Sequence, residues 1–376
     1  MKILFYSAMD AFPWGGSEEL WHKTASLAVD EGHEVQVCVE YWMPAAKKVE
    51  ELKNKGAKII YRKTGRNYMK KFADKLGIQV TESYIREILN FKPDVVLISQ
   101  GATFDFFRRK QIYGLINRHR IRYSLISQFN DENGRVLSNE LKSSIKNTFP
   151  WDYFYFVSMR NLQTARRQCA MVLPNNKFIN NLVDFSDLKL APWPDNDILQ
   201  LACVARLECA CKGQDVLLET LADPYFADKN FQLSFYGSGP DMEHVQSLID
   251  FYKLGDKVSI KGHVNSKNEI WGENHLLILP SIAEGTPLSL QECMLKGRPA
   301  MTTDVGGCAE LVIDGQTGFL SSTCSQKSLK ETLVKVFGTS MADLKTMGIK
   351  ANEHVSSTIN FNPAAVLLED LTASKN

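Results

Sequence analysis

Nowhere in this chain of 376 residues does an apolar run approach the roughly 20 residues that cross a bilayer, which excludes a membrane-spanning enzyme or transporter. Short-period repeats and low-complexity tracts are also missing, so neither a solenoid nor a disordered chain is expected. Zinc-type pairs of Cys and His are absent. The eight cysteines, at 38, 169, 203, 209, 211, 293, 308 and 324, lie mostly inside apolar runs, as buried free thiols of a reducing compartment would. Cys209-x-Cys211 is the one close pair, and without a second pair it reads as part of a loop. The apolar opening KILFYSAM is short and soon followed by Asp10 and Pro13, unlike a secretory signal. Cytoplasmic residence is the expectation, with peripheral attachment at an inner membrane face as the alternative.

A charge excess of one sign is lacking too, since the formal net charge is only +1. It is unevenly spread: residues 1–180 hold 28 Lys and Arg against 18 Asp and Glu, and the remainder hold 16 against 25. Much of the basic surplus lies between Lys47 and Lys75, and Arg108, Arg109, Lys110, Arg118, Arg120 and Arg122 form a second group. A basic face suits anionic lipid or a phosphorylated substrate, and solvated helix faces explain it as well. Nucleic acid is not an expected partner.

What is present is alternation. Ile3–Ser7, Glu34–Val39, Lys58–Tyr61, Val95–Ser99, Tyr123–Gln128 and Tyr153–Ser158 read as strands, with helical patterns between most of them, which predicts βαβ units around a buried parallel sheet. The pattern breaks at 184–197, where Pro192, Pro194 and several Asp crowd together as in a linker. A second series follows at Leu199–Ala205, Gln232–Tyr236, Lys257–Lys261, Leu276–Pro280, Ala300–Thr303 and Gly318–Ser321. The expected organisation is α/β throughout: a first domain over 1–182, a linker over 183–197, a second domain over 198–358, and a C-terminal helix within 359–376 after Pro363.

Ligands of open α/β sheets bind beyond the carboxyl ends of the strands, so the residues there are the candidates for chemistry. The most informative are two carboxylates eight positions apart in SIAEGTPLSLQEC, Glu284 in a loop and Glu292 on the following helix. Thr286 is expected to cap that helix and Pro287, which needs no amide hydrogen, to take its first position, leaving backbone N–H groups within residues 285 to 288 as donors for an anion or polyol. Glu292 stands on the order of 8 Å along the axis from Pro287, so the two acids can hold separate parts of one elongated ligand, such as a nucleotide sugar. Arg206, after the second domain's first strand, and Lys212, opening the next helix with Gly213, are suited to converge on a diphosphate and to stabilise it as a leaving group without a metal ion. Ordinary surface charges are the bland alternative.

Gly237 and Gly239 close the next strand and permit a close backbone approach, as would a plain turn. His263 and Val264 end another strand, where their backbone is placed to meet a base, and His263 itself reads better as structural. In the first domain Gly15 and Gly16 form a loop before a helix with apolar spacing at Leu20, Trp21, Ala25, Leu27 and Ala28. Gln128, Asn130, Asp131 and Glu132 gather polar groups at another strand end, for a sugar, an acceptor, or Asx turns and a cap. Asp195-x-Asp197 has a spacing used for divalent cations but stands in the Pro-rich segment, and no metal site is expected there.

Together these residues resemble the retaining glycosyltransferases of the GT-B fold, family 4. The resemblance rests on Glu284-Gly285-x-Pro287-Leu288-x3-Glu292, Gly297-x-Pro299, Thr303-Asp304-Val305-Gly306-Gly307, Glu310 and Asp314-Gly315-x-Thr317-Gly318-Phe319. Arg206-Leu207 with Lys212-Gly213, Gly237-x-Gly239-Pro240, Gly262-His263, the Gly15-Gly16 loop and Asn181-Leu182-Val183-Asp184 add to it, the last with Leu182 where the family has Gly. It implies two Rossmann-like domains facing across a cleft, the donor on the second and the acceptor on the first, near Gly15, Gly16, Gln128 and Asp131, with the C-terminal helix crossing back onto the first domain. It further implies that Glu284 and the amides after it, in the segment Gly285, Thr286, Pro287 and Leu288, hold the donor sugar, that Glu292 takes the ribose, and that Arg206 and Lys212 hold the diphosphate, with Gly237, Gly239, His263 and Val264 around the nucleotide. No cofactor beyond the nucleotide-sugar donor is implied, and no protein nucleophile, which agrees with the lack of a Ser-His-Asp or Cys-His arrangement. One departure is Gln128, at or near a place where many members have His; an amide donates a hydrogen bond but does not titrate. A nucleotide-sugar 2-epimerase and a non-catalytic nucleotide-sugar-binding protein are the competing readings.

Overall fold

Alternate residues of the opening strand point into two different cores, Ile3 and Phe5 to one and Leu4 and Tyr6 to the other, because a strand in a parallel sheet is covered on both faces. In the computed structural model, which describes residues 1–62, 83–134, 136–183, 188–264 and 266–373, the chain forms two compact units. The first comprises Met1–Leu182 with Asn362–Asn376, and the second Val183–Phe361.

Unit one holds a seven-stranded parallel sheet: β1 (Lys2–Ser7), β2 (Glu34–Glu40), β3 (Lys58–Arg62), β4 (Val95–Ala102), β5 (Arg122–Phe129), β6 (Phe154–Phe156) and β7 (Asn176–Phe178), in the order β3-β2-β1-β4-β5-β6-β7. Its helices are α1 (Gly16–Asp30), α2 (Lys47–Lys55), α3 (Ser83–Phe91), α4 (Asp105–Arg108), α5 (Lys110–His119), α6 (Asn139–Lys146) and α7 (Met159–Cys169). Unit two holds a six-stranded parallel sheet: β8 (Leu199–Val204), β9 (Phe231–Tyr236), β10 (Val258–Gly262), β11 (Leu276–Leu279), β12 (Ala300–Thr303) and β13 (Gly318–Ser321), ordered β10-β9-β8-β11-β12-β13. Its helices are α8 (Cys209–Lys212), α9 (Gln214–Leu221), α10 (Met242–Phe251), α11 (Lys267–Glu273), α12 (Leu288–Leu295), α13 (Cys308–Leu311), α14 (Gln326–Gly338) and α15 (Met341–Thr358). The strand order reverses between β1 and β4 in one sheet and between β8 and β11 in the other. At such a switch point the flanking loops part and leave a crevice.

The chain ends on α16 (Pro363–Thr372), which belongs to the first unit although it follows the second. Ala364, Leu367, Leu368 and Leu371 pack with Leu20, Trp21 and Ala25 of α1. Asp370 accepts from Tyr155 Oη and Lys177 Nζ, both at 2.6 Å, which fixes the helix to β6 and β7. Two features differ from the sequence reading. The strand expected at Tyr153–Ser158 is shorter and is followed by the three-residue edge strand β7, too brief to leave a pattern. The segment expected as a linker is packed on unit two where it is described: Arg298 holds the carbonyls of Ala191 and Pro192, and Trp193 lies against the same guanidinium at 4.9 Å. Asp184 and the rest of 184–187 lie outside the described residues.

Candidate functional site

Lys212, in the turn after β8, and Glu284, in the loop after β11, flank the switch point of the second sheet, and they meet there. Lys212 Nζ lies 2.5 Å from Glu284 Oε1, and Ser281 Oγ donates to the same oxygen at 2.7 Å. Thr303, ending β12, holds the Ser281 carbonyl at 2.5 Å. Backbone amides of Ile282 and Ala283 donate to the Cys211 carbonyl at 2.9 and 3.3 Å, so the two loops are tied together beside the pair. The Glu284 side chain is 8% exposed and that of Lys212 19%. A lone charge so placed is costly, and each offsets the other.

The glycines around this centre have a visible purpose. Gly307 N donates to Gly285 O at 2.6 Å, and a Cβ on Gly306 would stand 2.4 Å from the Glu284 carbonyl oxygen, so the turn after β12 lies directly on the Glu284 loop. Only a residue without a side chain fits there. Gly237 and Gly239 serve the Arg206 loop in the same way. A Cβ on either would come within 2.1 Å of a carbonyl oxygen, that of Ala205 or of Leu207. Both glycines thus allow a close approach of the protein's own backbone.

Two details of the sequence reading are corrected. The helix after Glu284 begins at Leu288 with Pro287, φ −63° and ψ 130°, as its N-cap, so Thr286 does not cap it. Lys212 does not open the next helix; it ends the short α8, and Gly213 precedes α9. Arg206 pairs its guanidinium with Glu208 two residues on. Its carbonyl accepts from Gln214 Nε2 at 2.8 Å.

Glu292, on α12, pairs with Lys267 at the start of α11, Nζ to Oε1 2.7 Å. Lys267 was not among the sequence candidates, and nothing local marks it, since the pair joins helices 25 positions apart. His263 is exposed and Val264 is partly buried against the core under α12. Burial pushes the Cys203 and Cys308 thiols up to about 12 and Cys209 to about 11, which removes them as nucleophiles at neutral pH. Among the described residues no three His, Cys, Asp or Glu side chains come together so as to hold a metal ion, and no helix is long and apolar enough to cross a membrane.

In unit one the Gly15–Gly16 loop, after β1, lies beside Gln128 at the end of β5: Gln128 Nε2 donates to the Ser17 carbonyl at 3.2 Å. The residue that orders this corner is Glu18. It is 3% exposed, accepts from Ser7 Oγ at 2.8 Å and Trp21 Nε1 at 3.3 Å, and also bonds Ser17 Oγ. Asp131 forms an Asx turn with Asn133 N at 2.9 Å, one of the two uses open to it from sequence. Several basic residues are paired: Arg108 with Asp105, Arg109 with Asp10, Lys110 with Glu140 and Arg122 with Asp152. Within the other basic run, Lys48, Lys53, Lys55 and Lys58 are paired as well, and residues 63–82 lie outside the described residues.

Burial raises the Glu18 pKa above its ordinary 4.5, against the hydrogen bonds that lower it. The folded protein therefore keeps this proton to higher pH than the unfolded chain, and stability is lost as pH climbs from 4.5 through the raised folded value. Glu18→Gln is expected to melt above the wild type at neutral pH and to show a flatter profile over that window. A wild type that gains stability relative to the variant over the same window would contradict this.

With this geometry in hand, comparison with known proteins identifies the fold. Residues 199–338, the body of unit two, match the glycosyl transferases group 1 family. The chain is 28% identical to the putative colanic acid biosynthesis glycosyltransferase WcaL of Salmonella typhimurium over 170 residues, 43% of this chain and 42% of that protein. It is 29% identical to the poly(glycerol-phosphate) alpha-glucosyltransferase of Bacillus subtilis over 140 residues, 37% of this chain and 20% of that one. The matches thus span less than half of these relatives. Among solved structures, Anabaena HepE in complex with UDP and glucose superposes with a TM-score of 0.74 at 17% identity, covering 100% of both chains. Staphylococcus aureus TarM does so with 0.73 at 13% identity, covering 99% of this chain and 100% of that one. The fold is GT-B, with two Rossmann-like α/β domains.

Proposed function

We propose that this chain, whose second unit matches the glycosyl transferases group 1 family, is a retaining glycosyltransferase. It moves a hexose-type sugar from a nucleoside diphosphate sugar, with UDP or GDP as the nucleotide, to a hydroxyl of a saccharide or lipid-linked acceptor. The observation that carries this reading is the Lys212–Glu284 pair at the switch point of the second sheet, inside the region of the family match. Polysaccharide-assembling relatives and a neighbour solved with UDP support the substrate class.

In this reading Glu284 accepts hydroxyl hydrogens of the donor sugar, Glu292 exchanges Lys267 for the ribose hydroxyls, and Lys212 with Arg206 neutralises the diphosphate. Positive charge aimed at the leaving oxygen acts where negative charge develops, which is where electrostatic stabilisation counts most. The bond from the anomeric carbon to the diphosphate oxygen breaks and one to the acceptor oxygen forms on the same face. The acceptor's proton passes to the departing phosphate, so no protein nucleophile and no metal ion are needed. The acceptor takes the first unit, at the Gly15–Gly16 loop and Gln128.

The test is a screen of UDP-, GDP- and ADP-sugars for slow donor hydrolysis, followed by NMR of the anomeric proton with saccharide acceptors. Hydrolysis of one donor class and an α product from an α donor are expected, with and without EDTA. Inversion at C2 without any acceptor would show an epimerase instead, and EDTA inhibition relieved by manganese would refute the metal-free step.

A further inference from the structure

The basic surplus that the proposed site does not use gathers at one end of the first unit. Helices in a parallel α/β layer run back against the strands, so the last turns of α5, α6 and α7 lie where β5, β6 and β7 begin. There Arg118 and Arg120 close α5, Lys146 closes α6 with Lys142 one turn before it, and Arg166 stands in the last turn of α7. Lys142 is partly buried and the other four are exposed. Among the described residues none of the five pairs with a carboxylate. Asp152, just before β6 at the same end, is already engaged with Arg122.

Between the connections α6–β6 and α7–β7 runs an apolar groove of about 600 Å³, lined by Ile145, Pro150, Trp151, Met171, Val172 and Pro174, with Lys146 on its lip. Val172 is 81% exposed. Cations alone would be a solvated face, and a groove alone would not name its occupant. Side by side they complement a surface that is anionic outside and hydrocarbon just beneath.

We propose that this end of the first unit docks on a bilayer containing anionic lipid, with the five cations on the headgroups and the groove receiving an acyl chain. A consequence for the acceptor rests on the glycosyl-transfer reading above. The eight residues of β4 span about 26 Å, so the loops at the carboxyl ends, which carry Gly15, Gly16 and Gln128, stand roughly that far from the docked end. An acceptor hydroxyl reached there belongs to an extended saccharide on its anchor, not to the lipid headgroup.

The experiment is co-sedimentation of the full chain with phosphatidylcholine vesicles and with vesicles one third phosphatidylglycerol, at low and high salt. The wild type is expected on the anionic vesicles only. Arg120→Glu/Lys146→Glu/Arg166→Glu should lower the partition by more than about 100-fold, the loss for removing three favourable surface charges, because reversal adds repulsion. Val172→Asp should weaken what binding persists at high salt. Both variants should keep the wild-type melting temperature and donor hydrolysis in solution. Equal binding to neutral and anionic vesicles, variants that bind like the wild type, or retention by an acidic protein but not by vesicles would overturn the proposal. Vesicle binding without hydrolysis of any donor would instead remove the catalytic reading and leave the docking surface standing.

Discussion

Glu284→Gln is expected to lower donor turnover on the order of 100- to 1000-fold, the loss seen when one group of a preorganised charge-stabilising set is removed. Lys212→Ala should lose at least as much. The choice of Gln follows from the geometry. Alanine at 284 would leave the Ser281 hydroxyl and Lys212 Nζ without their shared oxygen in a largely dry place, and lost activity would then mix folding with chemistry. Gln keeps the shape and an acceptor for Ser281 while removing the charge. The measurement is kcat and KM separately for the best donor, with thermal midpoints alongside. A fall in kcat at similar stability locates the pair in the transition state. Turnover above a third of wild type in both variants would sink the assignment.

Arg298→Met is expected to cost unit two about 3–5 kcal/mol, because several buried carbonyls lose their donor at about 1–3 kcal/mol each. Arg298 is 1% exposed, and its guanidinium meets backbone carbonyls rather than a carboxylate. Nε donates to Asn274 O at 2.8 Å, and Nη2 donates to Trp271 O at 2.6 Å and to the carbonyls of Ala191 and Pro192. It thus joins the chain before β8 to the end of α11 and the start of β12. Methionine fills the volume and donates nothing. Lysine cannot bridge the same acceptors, because its ammonium is a point and not a fork. The melting temperature should fall by roughly 10 °C while kcat per folded molecule is unchanged. Burial holds the Arg298 pKa down to about 10, still far above neutral, so the side chain is charged in both states and the loss should be the same across the neutral range. An unchanged midpoint would show that water replaces the guanidinium.

How much of this was legible in the chain depends on the distance over which each feature is determined. The strands were, because a β-type apolar run between turn residues is a local pattern; Gly318–Ser321 and Ala300–Thr303 fall where the pattern puts them. The edge strand β7 was not, since three residues of no special composition acquire their pairing only from β6. Gly306 and Gly307 announced a tight turn, but that the turn lies on the Glu284 carbonyl is a fact of two loops meeting. Arg298 stood unread between Gly297 and Pro299, because nothing around it reveals that Ala191 and Pro192 arrive above it.

The sequence by itself determined the tandem α/β pattern and the two carboxylates Glu284 and Glu292, since periodicity, turn residues and motif spacing act over a few residues. The tertiary structure decided which cation each acid meets: Lys212 for Glu284 across 72 positions, Lys267 for Glu292, and Glu208 as the partner of Arg206. It also turned 188–193 from an expected linker into a strap and placed α16 on the first unit. Those choices depend on which strand ends and helices fold to the same place, and a charge carries no mark in sequence of the partner it will find there.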